Sequence, residues 1–259
     1  MIDVIRVPLP KDRLRAMSKE ERALFFLLGY AANQIILFQR LVIFSTNKTP
    51  SMEAEQKISG AQSQMLARFS IGILHETWKL ISSRFLASPM GKEFAPKLSP
   101  AGQAALAELK KHFGGSNLLS KLRNNVAFHH PYESDMDAGF EAAINDKNWD
   151  NDWNWYFSTA TWNSLYFASD FVVLHGILTS IGETNLVEAQ KKIMDEVNKV
   201  SRHMMVLLYA LTEAFLAKYF GPEMTAEVIA KIADAPGAFD VWLPFYVEIP
   251  PDDPALGAA

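Results

Sequence analysis

Arg123, Asn124, His129 and His130 fall within one short segment, Lys121-Leu122-Arg123-Asn124-Asn125-Val126-Ala127-Phe128-His129-His130-Pro131. Their side chains suit acid–base chemistry on an anionic group. An imidazole titrates near neutral pH and can give or take a proton. A guanidinium fork meets phosphate or carboxylate charge bidentately, which an ammonium does not. On an ideal helix Arg123 and His129 are about 600° apart, so they point roughly 120° from one another with an axial offset of about 9 Å. One straight helix therefore holds them poorly on one face. Either the helix breaks before His129, or two copies of the chain bring their pairs together. Arg123 and His130 would align on an ideal helix, but Pro131 pushes His130 out of the α region.

This segment resembles the signature of the HEPN superfamily (higher eukaryotes and prokaryotes nucleotide-binding domain), an arginine, usually followed by a polar residue, with four to six residues between it and a histidine. His129 follows Arg123 after five residues and His130 after six, so both fit. The motif itself spans 121–131, and the helical layout that accompanies it covers 18–130. The resemblance implies an α-helical homodimer whose two motifs face one cleft, and a metal-independent endoribonuclease. In such an enzyme an internal 2′-hydroxyl is the nucleophile, so no metal or other cofactor is required to supply one. Arg123 would hold the scissile phosphate and the charge of the transition state. His129 would act as general base or acid, with Asn124 orienting it and His130 auxiliary. An acidic residue commonly accompanies the motif on a neighbouring helix, and Glu76, in Ile73-Leu74-His75-Glu76-Thr77-Trp78, is the candidate partner of Arg123. The setting implied is RNA cleavage in defence, toxin–antitoxin systems or stress, with an antitoxin or other protein as partner. The family also has catalytically silent members, so a dimeric interaction or nucleotide-binding module is the competing reading.

Other constellations carry less. His112, His175 and His203 stand singly on predicted helices and read as structural. Asp146-Lys147-Asn148-Trp149-Asp150-Asn151-Asp152 resembles the start of a calcium loop, but Asn151 replaces the turn glycine and Phe157 the twelfth-position glutamate. No Glu-x-x-His di-iron pattern, phosphate-binding glycine loop or Gly-x-Ser-x-Gly elbow occurs. No metal site is expected. The tryptophans at 149, 153, 155 and 162 could stack on bases, yet their density in one stretch reads first as core beneath an ordered loop.

The elements that must position these residues are helices. A Ser18–Glu21 capping box opens a helix over about 18–45. A second runs over about 51–87 and ends before Pro89. Residues 88–98 read as a loop. Ser99-Pro100 caps a helix that stops at Gly114. A shorter helix covers 117–128, another 133–145, and two more about 160–181 and 185–220, split by Gly182. A last helix is expected over 223–234. The tail from Pro236 reads as an extended strap, frayed beyond 250. No alternation long enough to build a sheet is apparent.

The expected architecture is therefore an all-α, HEPN-like antiparallel helical bundle with additional C-terminal helices and an extended tail, in a single domain over 1–259. Its core would span 18–220, with a C-terminal helix and strap over 221–249. Twenty-five basic and twenty-nine acidic residues leave a net charge of −4 in 259 residues, which argues against a broad nucleic-acid-coating surface and leaves room for one local basic cleft. The absence of cysteine excludes disulfides, thiolate catalysis and cysteine-held metals. No secretory signal is evident at Met1–Pro8. The apolar stretch 23–44 contains Asn33, Gln34, Gln39 and Arg40 and reads as a core helix rather than a membrane span. A cytoplasmic location is expected.

Overall fold

The helix signals translate into helices. The computed structural model describes residues 1–46, 48–115, 117–123, 130–146, 153–158, 163–183, 185–221 and 226–248. Along them run β1 (Ile2–Arg6), α1 (Lys11–Ala16), α2 (Lys19–Phe44), α3 (Glu53–Leu80), α4 (Pro89–Phe94), α5 (Pro100–Phe113), α6 (Leu118–Leu122), α7 (Glu133–Ile144), α8 (Phe167–Ile181), α9 (Leu186–Tyr219) and β2 (Glu227–Ile232). The chain is an all-α helical bundle carrying one small ribbon. It divides into two compact units. One comprises 1–37, 73–117 and 198–237, the other 38–72, 118–197 and 238–259, so α2, α3 and α9 each contribute to both.

In the first unit, the Ser18–Glu21 box is present in both directions at 3.2 Å and starts α2. The core gathers Phe25, Phe94 and Phe215, with ring centroids 5.8 Å (Phe25–Phe215) and 4.8 Å (Phe94–Phe215) apart. After Leu80 the helical path widens into a π-helical segment, Ile81–Leu86. Ser82 and Ser83 both donate to the Lys79 carbonyl there, competing with the backbone ladder. The segment expected to be a loop at 88–98 instead winds into α4 and a 3₁₀ turn over Ala95–Lys97. Pro89 and Pro96 explain why: each sits in the first turn, where a missing N–H costs nothing. Ser99 caps α5 as expected, accepting from Gly102 N at 3.3 Å.

The helix expected at 223–234 is corrected to a strand over 227–232. Glu227-Val228-Ile229-Ala230-Lys231-Ile232 pairs antiparallel with Ile2–Arg6, with a register shift between Val4 and Ile5. Its β-branched residues suit that pairing. The partner lies more than 220 residues away in sequence, so no local periodicity announces it.

In the second unit, α7 and α8 pack closely. Gly139 and Gly176 make this possible, because a Cβ on Gly139 would stand 2.4 Å from Val172 O and one on Gly176 2.8 Å from Asp135 O. Among the described residues of the expected helix 160–181, the α-helix covers Phe167–Ile181. Before it, Tyr156 and Leu165 exchange two backbone hydrogen bonds of 2.8 and 2.7 Å. The tail is a strap, as expected. Leu243 N donates to Phe44 O at 2.7 Å, and the Asn163 carboxamide donates to Val247 O at 2.8 Å while accepting from Val247 N at 3.1 Å. Phe245 packs on the buried cluster of Ile58, Ala61 and Leu165.

Helix α2 is a core helix on one stripe only. Leu24, Phe25, Leu28, Ala31 and Ile35 are buried, whereas Phe26, Tyr30 and Leu37 are exposed. Among the described residues, 19–44 and 187–219 are long and apolar enough to cross a membrane by length and composition.

Candidate functional site

Helix α6 is a single anchored turn. Leu119 and Leu122 are fully buried, and α6 packs against α8. Arg123 follows directly, in π-helical conformation, and is half-buried. Lys121 beside it is exposed. Asn124 and His129 lie outside the described residues. His130 is exposed and outside any helix, consistent with the proline that follows it. Tyr132 N then donates to Asp135 Oδ2 at 3.4 Å as α7 begins. The segment thus carries a guanidinium on a buried leucine pair and an accessible imidazole seven positions later.

Glu76 is exposed on α3 in the part of that helix belonging to the first unit, whereas Arg123 belongs to the second. Beside Glu76, His75 stands edge-on to Phe113 at 5.9 Å, and Trp78 stacks on the same ring at 5.1 Å.

The singly placed histidines differ among themselves. His175 is only 3% exposed, with Phe171 edge-on at 4.5 Å and Asp146 Oδ2 3.5 Å from its Nε2. Burial lowers the affinity of its ring for a proton, and the Asp146 carboxylate opposes that only in part. His112 is half-buried, and burial together with the charge of Lys199 also pushes it below the ordinary histidine value. His203 is half-buried on α9. Among the described residues no three His, Asp or Glu side chains converge as metal ligands.

Of the tryptophans, 149 and 162 lie outside the described residues. Trp153 is core-like, edge-on to Phe140 at 5.4 Å and to Phe171 at 6.0 Å. Trp155 is not. It is 53% exposed and forms an aromatic cluster with Phe157 and Tyr166, themselves 64% and 52% exposed.

A second concave site escaped the sequence reading. A cavity of about 510 Å³ lies in the second unit, walled by α3, α8 and the first turns of α9. Arg68 and Asp170 join across it at 2.8 Å. The signal for it was present: Lys57, Gly60, Gln64 and Arg68 recur three or four residues apart along α3, a polar stripe interrupted by a glycine. Nothing in that spacing says what faces the stripe.

No protein-family model, curated protein or solved structure matches the chain.

Proposed function

We propose that this protein is a HEPN-like, metal-independent endoribonuclease, working as a cytoplasmic homodimer in defence, toxin–antitoxin or stress-linked RNA cleavage. What supports the reading is the placement of Arg123: a half-buried guanidinium directly after a helical turn whose Leu119 and Leu122 are buried. A fixed cation is what a phosphoryl-transfer transition state requires, because its charge gathers on non-bridging oxygens. In the proposed reaction the RNA 2′-oxygen attacks phosphorus and the 5′-oxygen leaves. One imidazole takes the 2′ proton and one gives a proton to the leaving oxygen, leaving a 2′,3′-cyclic phosphate and a 5′-hydroxyl. Two motifs facing one cleft would supply both imidazoles from His129, with Asn124 and His130 assisting.

The test is cleavage of a labelled RNA by the purified full chain in EDTA. Activity that yields cyclic-phosphate ends, and that falls at least 100-fold in Arg123→Ala and in His129→Ala, supports the assignment. Unchanged activity in both variants overturns it.

The exposed Trp155, Phe157 and Tyr166 cluster favours a second reading, a silent dimeric module that binds a protein or nucleotide through this surface. That reading expects no cleavage, a dimer retained in Arg123→Ala, and partner binding lost in Trp155→Ala.

A further inference from the structure

The cavity walled by α3, α8 and α9 has a chemistry of its own. Its volume of about 510 Å³ falls within the range of roughly 300–1,000 Å³ typical of small-molecule sites. One wall is aromatic: Phe167 and Phe171 line it, their rings nearly parallel at 23° with centroids 6.1 Å apart. Phe167 is the half-buried ring of the pair; Phe171 behind it is buried, with Trp153 and His175 edge-on to it. Facing polarity comes from three carboxamides, Gln56, Gln64 and Gln190, none of which makes a side-chain hydrogen bond among the described residues. Gln64 and Gln190 are half-buried. Each carboxamide offers both donors and an acceptor.

The charges at the cavity cancel locally. Arg68 is paired with Asp170 at 2.8 Å and Lys57 with Glu53 at 2.6 Å. An anionic ligand would have to compete with Asp170 and Glu53 for these cations, and a cationic one with Arg68 and Lys57 for the carboxylates. A purely aliphatic ligand would cover the carboxamides without satisfying them, which costs free energy for each half-buried amide. The combination that satisfies the walls is a flat apolar face with a neutral edge bearing both donors and acceptors. Gly60 keeps the entrance open: a Cβ built there meets nothing within 4 Å.

We infer that this cavity binds a neutral, planar heteroaromatic molecule, of the chemistry shared by a nucleoside base and an isoalloxazine ring, stacked on Phe167 and read by Gln64 and Gln190. The site uses neither Arg123 nor His129, so it stands whether or not the chain cleaves RNA.

Adenosine, uridine and lumiflavin, a neutral isoalloxazine, are the probes. Each is titrated into the purified full chain by calorimetry, alongside adenosine monophosphate and decanoate as charge and shape controls. At least one neutral heterocycle is expected to bind, with adenosine tighter than its monophosphate and decanoate silent. Which heterocycle binds identifies the source. Gly60→Leu fills the opening while replacing a helical glycine by a better helix former, so the fold is retained or strengthened. It is expected to weaken binding at least 10-fold without lowering the melting temperature. Gln64→Leu is expected to weaken the heterocycle and leave the circular-dichroism spectrum unchanged, and Arg123→Ala to bind as wild type. Silence of all three heterocycles, tighter binding of decanoate, or affinity unaltered by Gly60→Leu would each overturn the inference.

Discussion

Gly139 of α7 and Gly176 of α8 pack backbone to backbone: a methyl group on Gly139 would lie 2.4 Å from Val172 O and 2.8 Å from Gly176 N. Neither neighbour is the end of a flexible side chain, so relief requires the helices to separate. Gly139→Ala should therefore destabilise by about 1–3 kcal/mol despite alanine's better helix propensity. Gly60→Ala, on open space in α3, should be neutral or stabilising. Urea unfolding of both variants checks the contrast, and equal effects would contradict it.

Glu21 and Lys218 make the clearest acid-sensitive contact. Lys218 Nζ lies 2.9 Å from Glu21 and 3.0 Å from Glu93, on the last turn of α9, where a cation also complements the helix dipole. Burial alone would raise the Glu21 carboxyl, but hydrogen bonds from Tyr219, Lys218 and Ser18 outweigh it and hold it at about 2. A folded-state pKa below the unfolded one gives stability that is complete above about pH 4.5 and is lost as the pH falls toward 2. Glu21→Gln should thus cost about 1–2 kcal/mol at pH 7, the full linkage value being reduced by solvent screening. The gap from wild type should close between pH 5 and pH 2 in denaturation curves.

His175 contributes at milder pH with the same sign. Because burial holds its folded-state pKa below the ordinary value, the native state favours the neutral ring. Its contribution is complete above about pH 6.5 and declines as the pH falls further. His175→Asn should flatten the loss of stability between pH 7 and pH 5. It should not abolish it, since His112 titrates with the same sign. An unaltered slope in a pH series of urea midpoints would rule out this role.

Asn163 holds the tail through both of its amide functions, which mimic a backbone pairing with Val247. Removing it leaves the Val247 N–H and C=O without that partner. Asn163→Ala should cost about 1–3 kcal/mol and open the strap to limited proteolysis between 236 and 248. A digestion pattern matching wild type would show that Leu243 and Phe245 suffice to hold the tail.

Most helices and many of their ends are legible in the linear chain. Ser18 with Glu21, and Ser99 with Pro100, are local hydrogen-bonding and φ constraints, so they are written where they act. The same holds for Gly182, whose φ of 74° ends α8 in the left-handed region. Prolines were less legible, because Pro89 and Pro96 read as breakers when each occupies the one helical turn that tolerates it.

Features that depend on distant pairs emerge only once the chain has folded. Residues 227–232 took strand form because Ile2–Arg6 came to lie beside them. The 2.4 Å approach at Gly139 comes from a neighbouring helix, and the cavity from α3, α8 and α9 coming together. Chemistry-bearing residue types at one spacing, Arg123 to His130, are readable from a linear chain because the spacing is short. A site assembled from Gln64, Phe171 and Gln190 is not, because its geometry exists only after nonlocal contacts have formed.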